Sequence, residues 1–167
     1  MISRLKSMAS TLALIQTPKG NNVSLCQLAR DIVEHKKIVY FGEIHSVPKI
    51  VNLQLAVLEA MTDAAKTQSA KVHIFLEHFS IDDQTLLDSF VKNNIQSEEE
   101  FIQKYEDTSQ EGHDVEKYFP ILNYVKNNSS HITVKGSFIP RYSLSLKAQE
   151  LHLSDYIFWT GVLQKCW

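Results

Sequence analysis

Two short apolar runs, each closed by an acid and a histidine, constrain this chain more than any other feature. They are Ile38-Val39-Tyr40-Phe41-Gly42-Glu43-Ile44-His45 and Val72-His73-Ile74-Phe75-Leu76-Glu77-His78. Runs this short, rich in β-branched and aromatic residues, have the pattern of strands buried in a parallel sheet. A third, His131-Ile132-Thr133-Val134-Lys135-Gly136, leads into Ser137-Phe138-Ile139-Pro140-Arg141. Ligands of open α/β sheets bind beyond the carboxyl ends of the strands. A charge also costs far less there than in a strand interior. Three strand ends therefore gather two carboxylates, two imidazoles and a guanidinium along one edge, which is the expected site.

Helical patterns fill the intervals. Ser24 caps a helix with Leu25, Leu28, Ala29 and Ile32 on one face, and strand one follows from about Lys37 to Gly42. Ser46 as N-cap and Pro48 in the first turn open a helix toward Thr67, and strand two ends at Glu77. Ser80 with Asp83, and Ser97 with Glu100, have capping-box spacing and predict helices over about 81–92 and 98–106. Pro120 starts or kinks a further helix toward Lys126. The expected fold is α/β, a mainly parallel sheet flanked by helices, with a small helical insertion at about 80–127. Residues 1–13 form an N-terminal arm, 14–150 the domain and 151–167 a divergent, aromatic-rich tail.

With 167 residues, 44% of them hydrophobic, the chain can bury the core of one domain. A net charge of −2 argues against a general nucleic-acid binder. Cys26 and Cys166 have no metal-like spacing and give no disulfide framework. No apolar run approaches the roughly 20 residues of a membrane span. The first 30 residues carry four basic side chains and no acid, yet lack the strong apolar core of a secretory signal. An ordinary arm is the reading adopted, with an organellar presequence as the alternative.

Glu43 and His45 lie two positions apart at a strand end, so both side chains point the same way if the chain stays extended. The pair suits metal ligation, or a base with its orienting acid; the plain alternative is a helix-capping Glu beside a loop His. Glu77 either pairs with Arg141 across neighbouring strand ends or lines a pocket, or does both. His78, one position on, is expected to face away from Glu77. Tyr40 is expected in the core, His73 and His131 at the far end of the strands, and His113 has no context.

The ordered series of motifs resembles the ChaN-like haem-binding family, which belongs with the erythromycin esterase and TraB/Tiki proteins. The residues that carry it are Gly42-Glu43-Ile44-His45 before a long helix, Leu76-Glu77-His78-Phe79 with Asp83-Gln84 and Leu87-Asp88, and the acidic helix at Ser97-Glu98-Glu99-Glu100-Phe101. Tyr118-Phe119-Pro120-Ile121-Leu122 and the Ile139-Pro140-Arg141 turn complete the series. The likeness spans roughly Leu14 to Gln149. The chain departs from the family at Glu77-His78, where Glu-Met is usual, and at Gly136-Ser137, where Ala-Asn is usual. It is also shortened after the Pro-Arg turn.

The resemblance implies haem as cofactor and a role in haem or iron uptake or handling. Glu43, His45, Glu77 and His78 would line the site, Tyr118 or Tyr142 would offer a phenolate to iron, and Arg141 would meet a propionate. A homodimer is expected, since the family is thought to sandwich haem between subunits and the last strand of a thin sheet is an open edge. One alternative is a metal-dependent hydrolase in which Glu43, His45 and Glu77 hold or activate a water on a divalent ion. Another is a non-catalytic interaction or regulatory module.

Overall fold

The computed structural model describes residues 14–16, 22–35, 38–109 and 111–138. A short antiparallel pair, β1 (Leu14–Gln16) and β2 (Asn22–Ser24), opens it, with Leu14 opposite Ser24. Helix α1 (Leu25–His35) follows directly, and Ser24 Oγ accepts the Gln27 amide at 3.2 Å, as the cap requires. Helix α2 (Pro48–Thr67) turns Val51, Leu58 and Ala65 into the core. Strand β3 (Val72–Ser80) leads through a 3-10 turn (Ile81–Asp83) to α3 (Gln84–Val91) and α4 (Glu98–Thr108). A second 3-10 turn (Val115–Tyr118), α5 (Phe119–Asn127) and β4 (Ile132–Phe138) complete the described chain.

β3 and β4 pair in parallel, Val72 with Ile132 through Leu76 with Gly136, so the fold is α/β. The helical insertion is the crossover between them. Val72, Ile132 and Val134 face a core closed by Leu58, Leu87, Phe90, Phe101, Phe119, Leu122 and Val125. His73, Phe75 and Lys135, on the alternate positions, are exposed among the described residues. The helices there thus cover one face of the sheet.

The Ser80–Asp83 capping box forms, with Asp83 Oδ2 accepting the Ser80 amide at 2.7 Å. At the other, Ser97 Oγ accepts the Glu100 amide at 3.1 Å, but the Glu100 carboxylate turns to the Gln96 amide at 3.0 Å, so Ser97 acts as a simple N-cap. Pro120 sits in the first turn of α5 and starts it.

Three expectations are corrected. The run from Ile38 to Gly42 makes no ladder among the described residues, and Tyr40, expected in the core, is 88% exposed. Strand propensity expresses itself only where neighbours complete the hydrogen bonds and cover the side chains, and no described strand pairs with this run. Ser46 does not cap α2. Val47 holds that position, and Ser46 turns into the left-handed region at φ 58°, which sends its amide elsewhere. β3 runs past Glu77 to Ser80, with a register irregularity between Leu76 and Ser80.

That irregularity depends on Gly136. A Cβ there would lie 2.0 Å from the Ser80 carbonyl oxygen and 2.7 Å from its carbon, so only glycine admits so close a backbone approach.

Candidate functional site

The site gathers at the carboxyl end of β3, where sequence reasoning puts it. Glu43 and His45 reach it from the segment before α2, Glu77 and His78 from the irregular end of β3, and Tyr118 from the second 3-10 turn. Glu43, His45, Glu77 and His78 each offer a ligand atom, all within 4.8 Å of one another. Arg141 and Tyr142 lie outside the described residues.

Glu43 is the hub. Its side chain is 5% exposed, and its Oε1 faces His78 Nε2 at 2.8 Å and His45 Nδ1 at 2.9 Å while accepting the Tyr118 hydroxyl at 2.7 Å. Gln54, from α2, donates its amide to Oε2. Burial works to raise the Glu43 pKa. The hydrogen bonds from Tyr118, His45 and Gln54 overcome it, and the carboxyl is held below its ordinary range.

His45 bridges the two acids, with Nδ1 toward Glu43 and Nε2 toward Glu77 Oε1 at 3.0 Å. Its Nδ1 also lies 3.1 Å from His78 Nε2. The His45 side chain is 47% exposed, so the cluster opens to solvent on that ring.

His78 does not turn away from the site as strict alternation predicts. Glu77 and His78 both reach His45, because the register irregularity re-aims consecutive side chains, as bulges do. The His78 ring is buried and its Nδ1 has no hydrogen-bond partner, so Nε2 carries its polar contacts. Burial lowers its pKa to about 4, which keeps the imidazole neutral at pH 7.

Tyr118 is buried, stacks on His78 with ring centroids 3.7 Å apart, and accepts the Ser46 amide at 3.1 Å. Burial first, and then its hydrogen bond to Glu43, push its phenol above the ordinary value. The phenol is a donor to Glu43 here.

Three contributors were not legible in the sequence. Gln54 sits between the apolar positions Val51 and Leu55, and a polar residue inside such a stripe is its only signal. His113, in the polar loop after α4, places its ring centroid 5.3 Å from that of His45 and 5.2 Å from that of His78. Tyr105 in α4 donates its hydroxyl to the His78 carbonyl at 2.9 Å and is hydrogen-bonded by the His113 backbone. No local pattern marks either residue.

The arrangement can hold a cation among imidazoles and carboxylates, or present an imidazole at the surface. No described helix is long and apolar enough to cross a membrane. The family model for haem-binding uptake proteins of the Tiki superfamily, ChaN, matches residues 29–150. No curated protein and no solved structure matches.

Proposed function

Because this chain belongs to the ChaN family of haem-binding uptake proteins in the Tiki superfamily, we propose that it binds haem and serves in haem or iron handling. One observation carries the reading: the half-exposed His45 ring adjoins a run of exposed large apolar side chains, Ile38, Tyr40, Phe41 and Ile44. Exposed apolar surface beside a half-exposed imidazole marks a ligand or partner site. A flat apolar macrocycle has the shape and chemistry to cover it.

These residues fit the group. His45 Nε2, on the open side, is the proposed donor to iron, exchanging its contact with Glu77. Glu43 and Tyr118 hold the His45 ring from below, and His78 buttresses Tyr118. Tyr118 acts through Glu43, since its hydroxyl proton is committed there. Arg141 and Tyr142 are proposed contacts for a propionate and for iron. Bound iron would supply reversible ligand exchange and redox chemistry. A second copy covering the same apolar run makes a homodimer the proposed assembly.

A haemin titration of the full chain, read by absorbance, tests this. Saturation near one haem per chain, lost in His45→Ala and kept in Tyr118→Phe, is expected. A featureless, non-saturating response overturns it.

The second reading is a divalent-ion centre of a hydrolase, favoured by the compactness of the donor set around Glu43, His45, Glu77 and His78. Ester or peptide hydrolysis that requires an added divalent ion, and is lost in Glu43→Gln, would establish it.

A further inference from the structure

Three imidazoles converge on this cluster from distant parts of the chain. The ring centroids of His45, His78 and His113 are separated by 5.1, 5.3 and 5.2 Å, a nearly equilateral triangle. Imidazoles sharing one tetrahedral ion, with metal–nitrogen bonds of about 2.1 Å, have ring centres roughly 5 Å apart. The triangle has that size. Two of the rings already present nitrogens to one point: His45 Nδ1 and His78 Nε2 lie 3.1 Å apart, both facing Glu43 Oε1 at 2.9 and 2.8 Å.

We propose that His113 is the third imidazole of a three-histidine site, with His45 and His78, for a first-row divalent transition ion. The proposal rests on the divalent-ion reading of the centre and extends it to a residue on the helical insertion. Imidazole nitrogens with carboxylate neighbours suit zinc, cobalt(II) and iron(II). Glu43 Oε1 is the adjoining carboxylate donor, and Glu77 stands on the exposed side.

The fold holds His113 for this task. Gly112, at φ 67°, turns the loop immediately before it. The Tyr105 hydroxyl joins the His78 carbonyl to the His113 backbone, so one buried phenol ties the end of β3 to the loop. Tyr105 is thus a positioning residue for two of the three rings.

Aqueous cobalt(II), titrated into the full metal-free chain and followed by visible absorption, tests the assignment. Wild-type protein is expected to bind one ion, and His113→Gln to bind about 10–100-fold more weakly with an altered spectrum. His113→Cys is expected to keep binding and to add a thiolate-to-metal band absent from wild type, which a merely structural residue would not produce. Far-UV circular dichroism confirms that both variants fold.

Equal affinity and spectrum in wild type and His113→Gln, or no new band in His113→Cys, would overturn the assignment of His113 while leaving the ion centre in place. A wild-type chain that takes up no cobalt(II) overturns both, whatever it does with haemin.

Discussion

Replacing Tyr118 with Phe removes one oxygen from the hub of the site and leaves the ring stacked on His78. Two hydrogen bonds go: the 2.7 Å donation to Glu43 Oε1 and the 3.1 Å bond from the Ser46 amide. A hydrogen bond to an ionised, buried carboxylate contributes about 1.5–3 kcal/mol, and a neutral one about 1 kcal/mol. We therefore expect a loss of about 2–4 kcal/mol at pH 7. In urea, where the slope is about 2 kcal/mol per molar for a small domain, the midpoint should fall by about 1–2 M. The loss also has a pH signature. Glu43 is held below its ordinary pKa in the folded chain, so its contribution is present above the unfolded carboxylate range and disappears as pH falls through the folded value. The Tyr118 bond shares in that contribution, so the difference between wild type and Tyr118→Phe should shrink as pH falls below the unfolded carboxylate range. Equal midpoints at pH 7, or a difference independent of pH, would refute the account of Glu43 as a carboxylate held by Tyr118.

Two further outcomes follow from the same geometry. Gly136→Ala forces a Cβ against the Ser80 backbone, which should cost about 1–3 kcal/mol and lower Tm by several degrees; an unchanged Tm would show that β3 and β4 do not approach as described. His78 should remain neutral down to about pH 4, as followed by ring-proton NMR of the metal-free chain. Its folded pKa lies below the unfolded value of 6.5, so the unfolded chain binds the extra proton in that window and stability should fall as pH drops from 6.5 toward 4. A ring titrating near 6.5 would contradict its burial.

Local chemistry explains which parts of the fold were legible. Ser24, Ser80 with Asp83, and Ser97 satisfy amides within a few residues of themselves, so their helices start where the pattern says. Pro120 fixes the first turn of α5 because its missing amide costs nothing there. Strands are different, since a ladder needs a partner that no local window contains. β3 and β4 found one another across the whole helical insertion. The run at 38–42, equally rich in strand formers, has no ladder among the described residues, and its apolar side chains stand exposed.

The site divides along the same line. Glu43, His45 and Glu77 were legible because each closes an apolar run, a position where a charged group has a reason to be. His78 was misread because alternation is a property of regular strands. The irregularity that re-aims it is set by a close approach of Gly136 to Ser80, on a strand more than 50 residues away in sequence. His113 and Tyr105 were invisible because what places them is the packing of α4 against the end of β3, which carries Tyr105 to the His78 carbonyl and the following loop to the rings. The insertion that looked like a bystander to the strand-end chemistry thus supplies one of its three imidazoles and a phenol that positions two of them. Any change that shifts α4 should therefore be felt first at the three imidazole rings, before it is felt in the sheet.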